Sequence, residues 1–163
     1  MQRPLAAFEN ALIVVLLAGT VLVILAQVFF RYALEQPLSW SNEVATDLLV
    51  YIAFVGFAIG VRDHAHVALH LFERRIGART RRRLRVGELL ALGAVLAGIG
   101  IGGAVYLWEQ RDVVSPAGVP LWAAFLALPF GAALGLVHVV AHVVFLARGG
   151  EIAEPDPVLE SAA

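Results

Sequence analysis

The chain contains no cysteine and no lysine, and only 15% of its 163 residues carry charge. Without cysteine there is no disulfide framework, no thiolate nucleophile and no Cys-ligated zinc or iron–sulfur centre. The scarcity of charge excludes more. An ordinary soluble domain is about 25% charged and about 45–50% apolar, whereas this chain is 60% apolar. It has too few charges to wet the surface of a soluble domain of this size. The same apolar content excludes disorder for most of the chain. No long segment alternates apolar and polar residues, so a transmembrane β-barrel is not expected. A Walker A motif, a GxSxG elbow, a Gly-rich phosphate loop and an internal repeat are also lacking, which leaves no motif for nucleotide or acyl-transfer chemistry.

What the sequence does have is long uncharged runs. Ala11 to Phe30 and Leu89 to Trp108 are each 20 residues long. Val113 to Ala147 is 35, interrupted by Pro116, Gly118, Pro120 and Pro129. About 20 helical residues, rising 1.5 Å each, cross a hydrocarbon core of roughly 30 Å. Leu48 to Val61 is only 14 residues, too short unless its helix starts near Ser41, a good N-cap type. That start places Glu43 and Asp47 within the first two turns. The last span is expected to begin at Pro120, because proline suits the first helical turn, and to kink at Pro129. The reading is an all-α integral membrane protein with four transmembrane helices, at about 9–30, 41–61, 87–108 and 120–147. The first run exceeds a typical signal-peptide core, and no clear A-x-A site precedes Arg31, so it is expected to remain as a helix. These spans form one membrane domain, 1–150, and residues 151–163 read as an acidic disordered tail.

Orientation follows from arginine. Eight of the 12 arginines fall within residues 62–85. The positive-inside rule then puts both termini and the middle loop in the cytoplasm and two short loops outside. The cluster lacks aromatic interleaving or a DNA-binding motif, so no nucleic-acid partner is expected; the lipid bilayer is the expected partner. Residues 66–76 have a short amphipathic pattern that suits an interfacial helix in the middle loop.

Small residues four apart occur at Gly56 and Gly60, at Gly98 and Gly102, and at Gly131 and Gly135. Such pairs let helix backbones approach closely in lipid, within the chain or against a partner. Glu43 and Asp47 share a helix face and repel unless a cation joins them. Arg31, at the same expected depth, is the natural partner, with Trp40 as an interface anchor. Five histidines form two groups toward the cytoplasmic side: His64, His66 and His70 after span two, and His138 and His142 on one face of span four. His138 and His142 have zincin spacing, but Val139 stands where a catalytic glutamate would be. Helix histidines with ordinary hydrogen-bond partners are favoured over metal or haem ligands, and no cofactor is expected.

Arg31-Tyr32 followed by Leu38-Ser39-Trp40-Ser41-Asn42-Glu43 resembles the "RY…W-S-E-E" segment of the small, DctQ-like membrane subunit of tripartite ATP-independent periplasmic (TRAP) transporters. Gly56, Gly60-Val61-Arg62 and His66-Val67 are similar to that family's "G…R…H-I" stretch. Gly118-Val119-Pro120-Leu121-Trp122, with Leu128-Pro129-Phe130-Gly131, is similar to its "G-I-P…L-P-x-G" start of the last helix. The resemblance covers roughly residues 8–147. Asn42 replaces the first acid of the family's pair, and His70 stands where the family often has an acid.

The resemblance implies a non-enzymatic small permease subunit of a secondary transporter in the bacterial inner membrane. It would brace a large membrane subunit that imports an organic anion, such as a carboxylate, on an ion gradient, with substrate delivered by a periplasmic binding protein. Arg31, Trp40, Glu43, Asp47, Gly56, Gly60, Arg62, His66, Pro120, Pro129 and Gly131 are the expected structural or interface positions. The alternative reading is a four-helix b-type cytochrome subunit with histidine haem ligands. A membrane anchor without a transport role is a third.

Overall fold

A computed structural model describes residues 3–63 and 78–148. The described chain forms five helices: α1 (Arg3–Ala33), α2 (Ser41–Arg62), α3 (Ala78–Glu109), α4 (Leu121–Phe125) and α5 (Ala127–Ala147). Four segments are long and apolar enough to cross a membrane: Pro4–Ala33, Ser41–Arg62, Arg82–Glu109 and Leu121–Ala147. Among the described residues the only β feature is an isolated bridge, Val114 with Pro120. The interfacial helix expected at 66–76 and the tail at 151–163 lie outside the described residues.

Each boundary has a local cause. α1 has Pro4 in its first turn, where the missing N–H is no loss. It ends where Glu35 turns the chain at a φ of 54° and the Gln36 N–H reaches back to the Phe30 carbonyl at 3.0 Å; Pro37 then prevents resumption. α2 begins at Ser41, whose hydroxyl donates to the Leu38 carbonyl at 2.7 Å. α3 starts nine residues before the expected 87 and takes up the second half of the arginine cluster, because arginine is a strong helix former. The last span is interrupted rather than merely kinked. Pro129 cannot donate to the Phe125 carbonyl four residues back, and the helix breaks at Leu126 between α4 and α5. Pro120 sits just before α4 in extended conformation, φ −66° and ψ 123°. It closes a small turn with Gly118 at φ 85° and the Ser115 N–H on the Val119 carbonyl at 2.8 Å.

The spans do not pack in chain order. α1 lies against α2, α2 against α5, and α5 against α3, so α5 sits between the second and third spans. The core cluster is Val61, Leu96, Ala132 and Val139, with Leu89, Leu92, Ile99, Leu136 and Val143 around it. Close approach is set by two glycines. A methyl group added at Gly131 would land on the Phe54 side chain and backbone. One added at Gly103 would come within 2.7 Å of the Leu128 Cβ. The three glycine pairs therefore differ. Gly131 and Gly135 pack inside the chain, on Phe54 and Leu96. Gly56 meets Ile13 at ordinary contact distance, whereas a Cβ at Gly60, Gly98 or Gly102 would meet nothing within 4 Å.

Candidate functional site

The bundle has two ends. The terminal end holds the start of α1, the end of α2, the start of α3 and the end of α5. The loop end holds the 34–40 and 110–120 connections. Polar side chains gather at both, and the stronger site is at the terminal end.

Glu9 lies on the second turn of α1 and is completely buried. Its Oε2 accepts from Arg62 Nη1 at 2.8 Å, and its Oε1 lies 2.5 Å from His138 Nε2. Three spans thus meet on one carboxylate: α1 through Glu9, α2 through Arg62, α5 through His138.

Arg62 is the hub of the cluster. Its Nε and Nη2 engage both oxygens of Asp63, at 2.8 and 3.0 Å. Its Nη1 donates to Glu9 and, at 3.4 Å, to the Ala6 carbonyl. Its Nη2 also reaches Asn10 Oδ1 at 3.3 Å. A guanidinium has five N–H groups in a fixed planar fork, and here all five have acceptors. A lysine could not reproduce this arrangement. Burying a charge is costly unless it is paired and hydrogen-bonded; this cluster meets both conditions.

The loop end is built from neutral or single contacts. Ser115 donates to Glu43 Oε2 at 2.7 Å, and its own Oγ accepts from the Val119 N–H at 3.1 Å. The Tyr51 hydroxyl donates to the Ala123 carbonyl at 2.6 Å. Gln27 donates to Asn42 Oδ1 at 2.8 Å, linking α1 to α2. Glu43, Asp47 and Tyr51 follow one another at four-residue intervals along one face of α2. Arg111 pairs with its neighbour Asp112 at 3.1 Å and lies 4.3 Å above the Trp108 ring.

The structure corrects one expectation. Arg31 does not join Glu43 and Asp47. It is exposed in the last turn of α1, with its guanidinium 5.8 Å from the Tyr32 ring centre, and Ser115 takes the place at Glu43. Asp47 is half-buried and makes no ion pair among the described residues. Trp40 is exposed at the residue preceding α2. His66 lies outside the described residues, with His64 and His70. His142 is buried on α5 one turn from His138. Among the described residues no group of three or more His, Asp or Glu side chains could hold a metal ion.

Sequence reasoning named Arg62 but missed Glu9 and His138 as its partners. The available signal was faint. Glu9 is the only charge between Arg3 and Arg31, and it falls at the terminal end, where α2 also finishes in Arg62. Nothing in sequence spacing links residues 53 and 129 positions apart.

Comparison with known proteins agrees with this architecture. Residues 20–149 match the family model of the tripartite ATP-independent periplasmic transporters, DctQ component. The chain is 29% identical over 125 residues to the C4-dicarboxylate TRAP transporter small permease protein DctQ of Rhodobacter capsulatus, covering 73% of this chain and 54% of that protein. It is 29% identical over 100 residues to the sialic acid TRAP transporter small permease protein SiaQ of Vibrio cholerae, covering 59% of this chain and 58% of the relative. A 45-residue stretch is 38% identical to the sialic acid TRAP transporter permease protein SiaT of Haemophilus influenzae, covering 28% of this chain and 7% of that one. The chain thus spans little more than half the length of the first two relatives. These relatives are transporter permeases rather than enzymes.

Proposed function

Because the chain belongs to the DctQ component family of tripartite ATP-independent periplasmic transporters, we propose that it braces a large transport subunit in the bacterial inner membrane. Both termini face the cytoplasm in this reading, since most arginines lie at the terminal end. The large subunit moves an organic anion, a carboxylate, on an ion gradient, and a periplasmic binding protein supplies it at the loop end. The small permeases of Rhodobacter capsulatus and Vibrio cholerae are named for a C4-dicarboxylate and for sialic acid, both carboxylates.

The observation that carries the bracing role is the Glu9–Arg62–His138 cluster. Its charges are spent on each other and on joining helices, with every guanidinium N–H engaged. It is a fastening between spans. The outer surface supports the same reading. Few residues of the first span are buried within the chain, whereas more than a third of the last span is. α1 therefore offers nearly its whole circumference to lipid and to a neighbouring subunit.

Uptake tests the proposal. Cells that keep the large subunit and the binding protein but lack this chain should not accumulate the carboxylate. Normal accumulation would sink the bracing role. Co-purification with a large membrane subunit in mild detergent separates this function from that of a free-standing anchor. The cytochrome alternative has no support from the relatives, and His138 directs its Nε2 to Glu9; a Soret band that survives purification would revive it.

A further inference from the structure

We propose that the terminal ends of α3 and α5 form a binding site for an anionic phospholipid. α3 is 32 residues long, about 48 Å at 1.5 Å per residue, so it overruns a hydrocarbon core of roughly 30 Å. The part of it long and apolar enough to cross a membrane begins at Arg82, so a bilayer crossed by this helix would have its headgroups beside Arg82 and Arg83. Arg82 Nη2 donates to the Leu146 carbonyl at 2.8 Å. That bond fixes the start of α3 beside the end of α5, where the helix dipole already favours cations. Arg148 follows immediately on α5. Arg83 and Arg148 are both exposed, and neither side chain pairs with a carboxylate among the described residues. The contrast with Arg62 is direct: there every donor has an acceptor, while Arg83 and Arg148 are exposed and without a carboxylate partner among the described residues.

The surface beneath Arg83 suits the rest of a lipid molecule. Gly87, Leu90, Ala94 and Gly98 follow on the same α3 face at helical spacing and all are exposed. A Cβ at Gly87 or Gly98 would meet nothing within 4 Å, so the face is open and apolar below the arginine. A guanidinium binds phosphate oxygens in a planar, two-point manner. Basic pockets between helices at the membrane edge take anionic headgroups. The net negative charge is what selects the ligand; a zwitterionic headgroup carries its own cation.

Native mass spectrometry of the full chain, delipidated in mild detergent, provides the test. The probes are dioleoyl phosphatidylglycerol and dioleoyl phosphatidylcholine at equal concentration. Phosphatidylglycerol should be retained preferentially, and its affinity should fall about fivefold for each arginine neutralised in Arg83→Gln and Arg148→Gln. Arg83→Lys should keep most of the selectivity, and Arg111→Gln, at the loop end, should change nothing. Unaltered helicity of the variants ties any loss to the site. Equal retention of the two lipids would overturn the proposal, as would full retention in the double glutamine variant. So would loss of bound phosphatidylglycerol when the large subunit joins, because the face would then belong to a protein interface.

Discussion

The two ends of this bundle are held by different physics. At the terminal end, a fully buried carboxylate takes a guanidinium on one oxygen and an imidazole on the other. The Arg62 and Glu9 side chains are 10% and 0% exposed. At the loop end, the ion pair between Arg111 and Asp112 has side chains 49% and 83% exposed. Exposed pairs typically contribute about 0–1 kcal/mol, whereas removing one partner of a buried pair costs about 3–5 kcal/mol. The loop end relies instead on steric fit, Gly103 on Leu128, and on hydrogen bonds of neutral donors. A membrane scaffold can thus fasten its helices with charge at one end and with shape at the other.

The sharpest way to break this comparison is Glu9→Ala. It leaves Arg62 short of its buried partner, and a destabilisation of about 3–5 kcal/mol is expected. Denaturant titration followed by circular dichroism measures it, and a loss below about 1 kcal/mol would show that the cluster is not the fastening. Combining Glu9→Ala with Arg62→Ala should cost clearly less than the sum of the two single changes, since they share one interaction; strict additivity would separate the two residues. Next in size is Gly131→Val, which forces the α2–α5 contact apart at a cost of about 1–3 kcal/mol. Gly98→Val, on the open face of α3, is the control and should unfold like the parent. Ser115→Ala removes the hydrogen bond that Ser115 donates to Glu43 and should cost about 1 kcal/mol, read as a lowered melting temperature. Arg111→Ala should fall within about 0.5 kcal/mol of the parent; a large effect there would erase the distinction between the ends.

The spans were legible because length and hydropathy are local properties. A 20-residue uncharged run must find a bilayer whatever its neighbours do. The early start of α2 at Ser41 was also legible, because the 14 residues from Leu48 are too few to cross. The α4–α5 break was half legible: Pro129 announces a disturbance, but whether a helix bends or breaks depends on packing around Leu126. The partner of Glu43 was misjudged because charge suggested Arg31, while the turn closed by Gly118 brings Ser115 to the carboxylate. The Glu9 cluster was not legible at all. Its members come from three spans, and only the packing order, with α5 between α2 and α3, places His138 against the second turn of α1.

That cluster also constrains how the protein is made. Helices enter the membrane in the order in which they are synthesised. Glu9 enters first, Arg62 follows 53 residues later, and His138 comes 129 residues after Glu9. Until α2 is inserted, Glu9 lacks Arg62, and until α5 arrives one of its oxygens has no histidine. The bundle therefore closes by joining α1 to α5 through Glu9 and His138. A nascent chain cut before residue 138 should hold α1 only through α2, and quality-control proteases should find that helix easier to extract than in the finished chain.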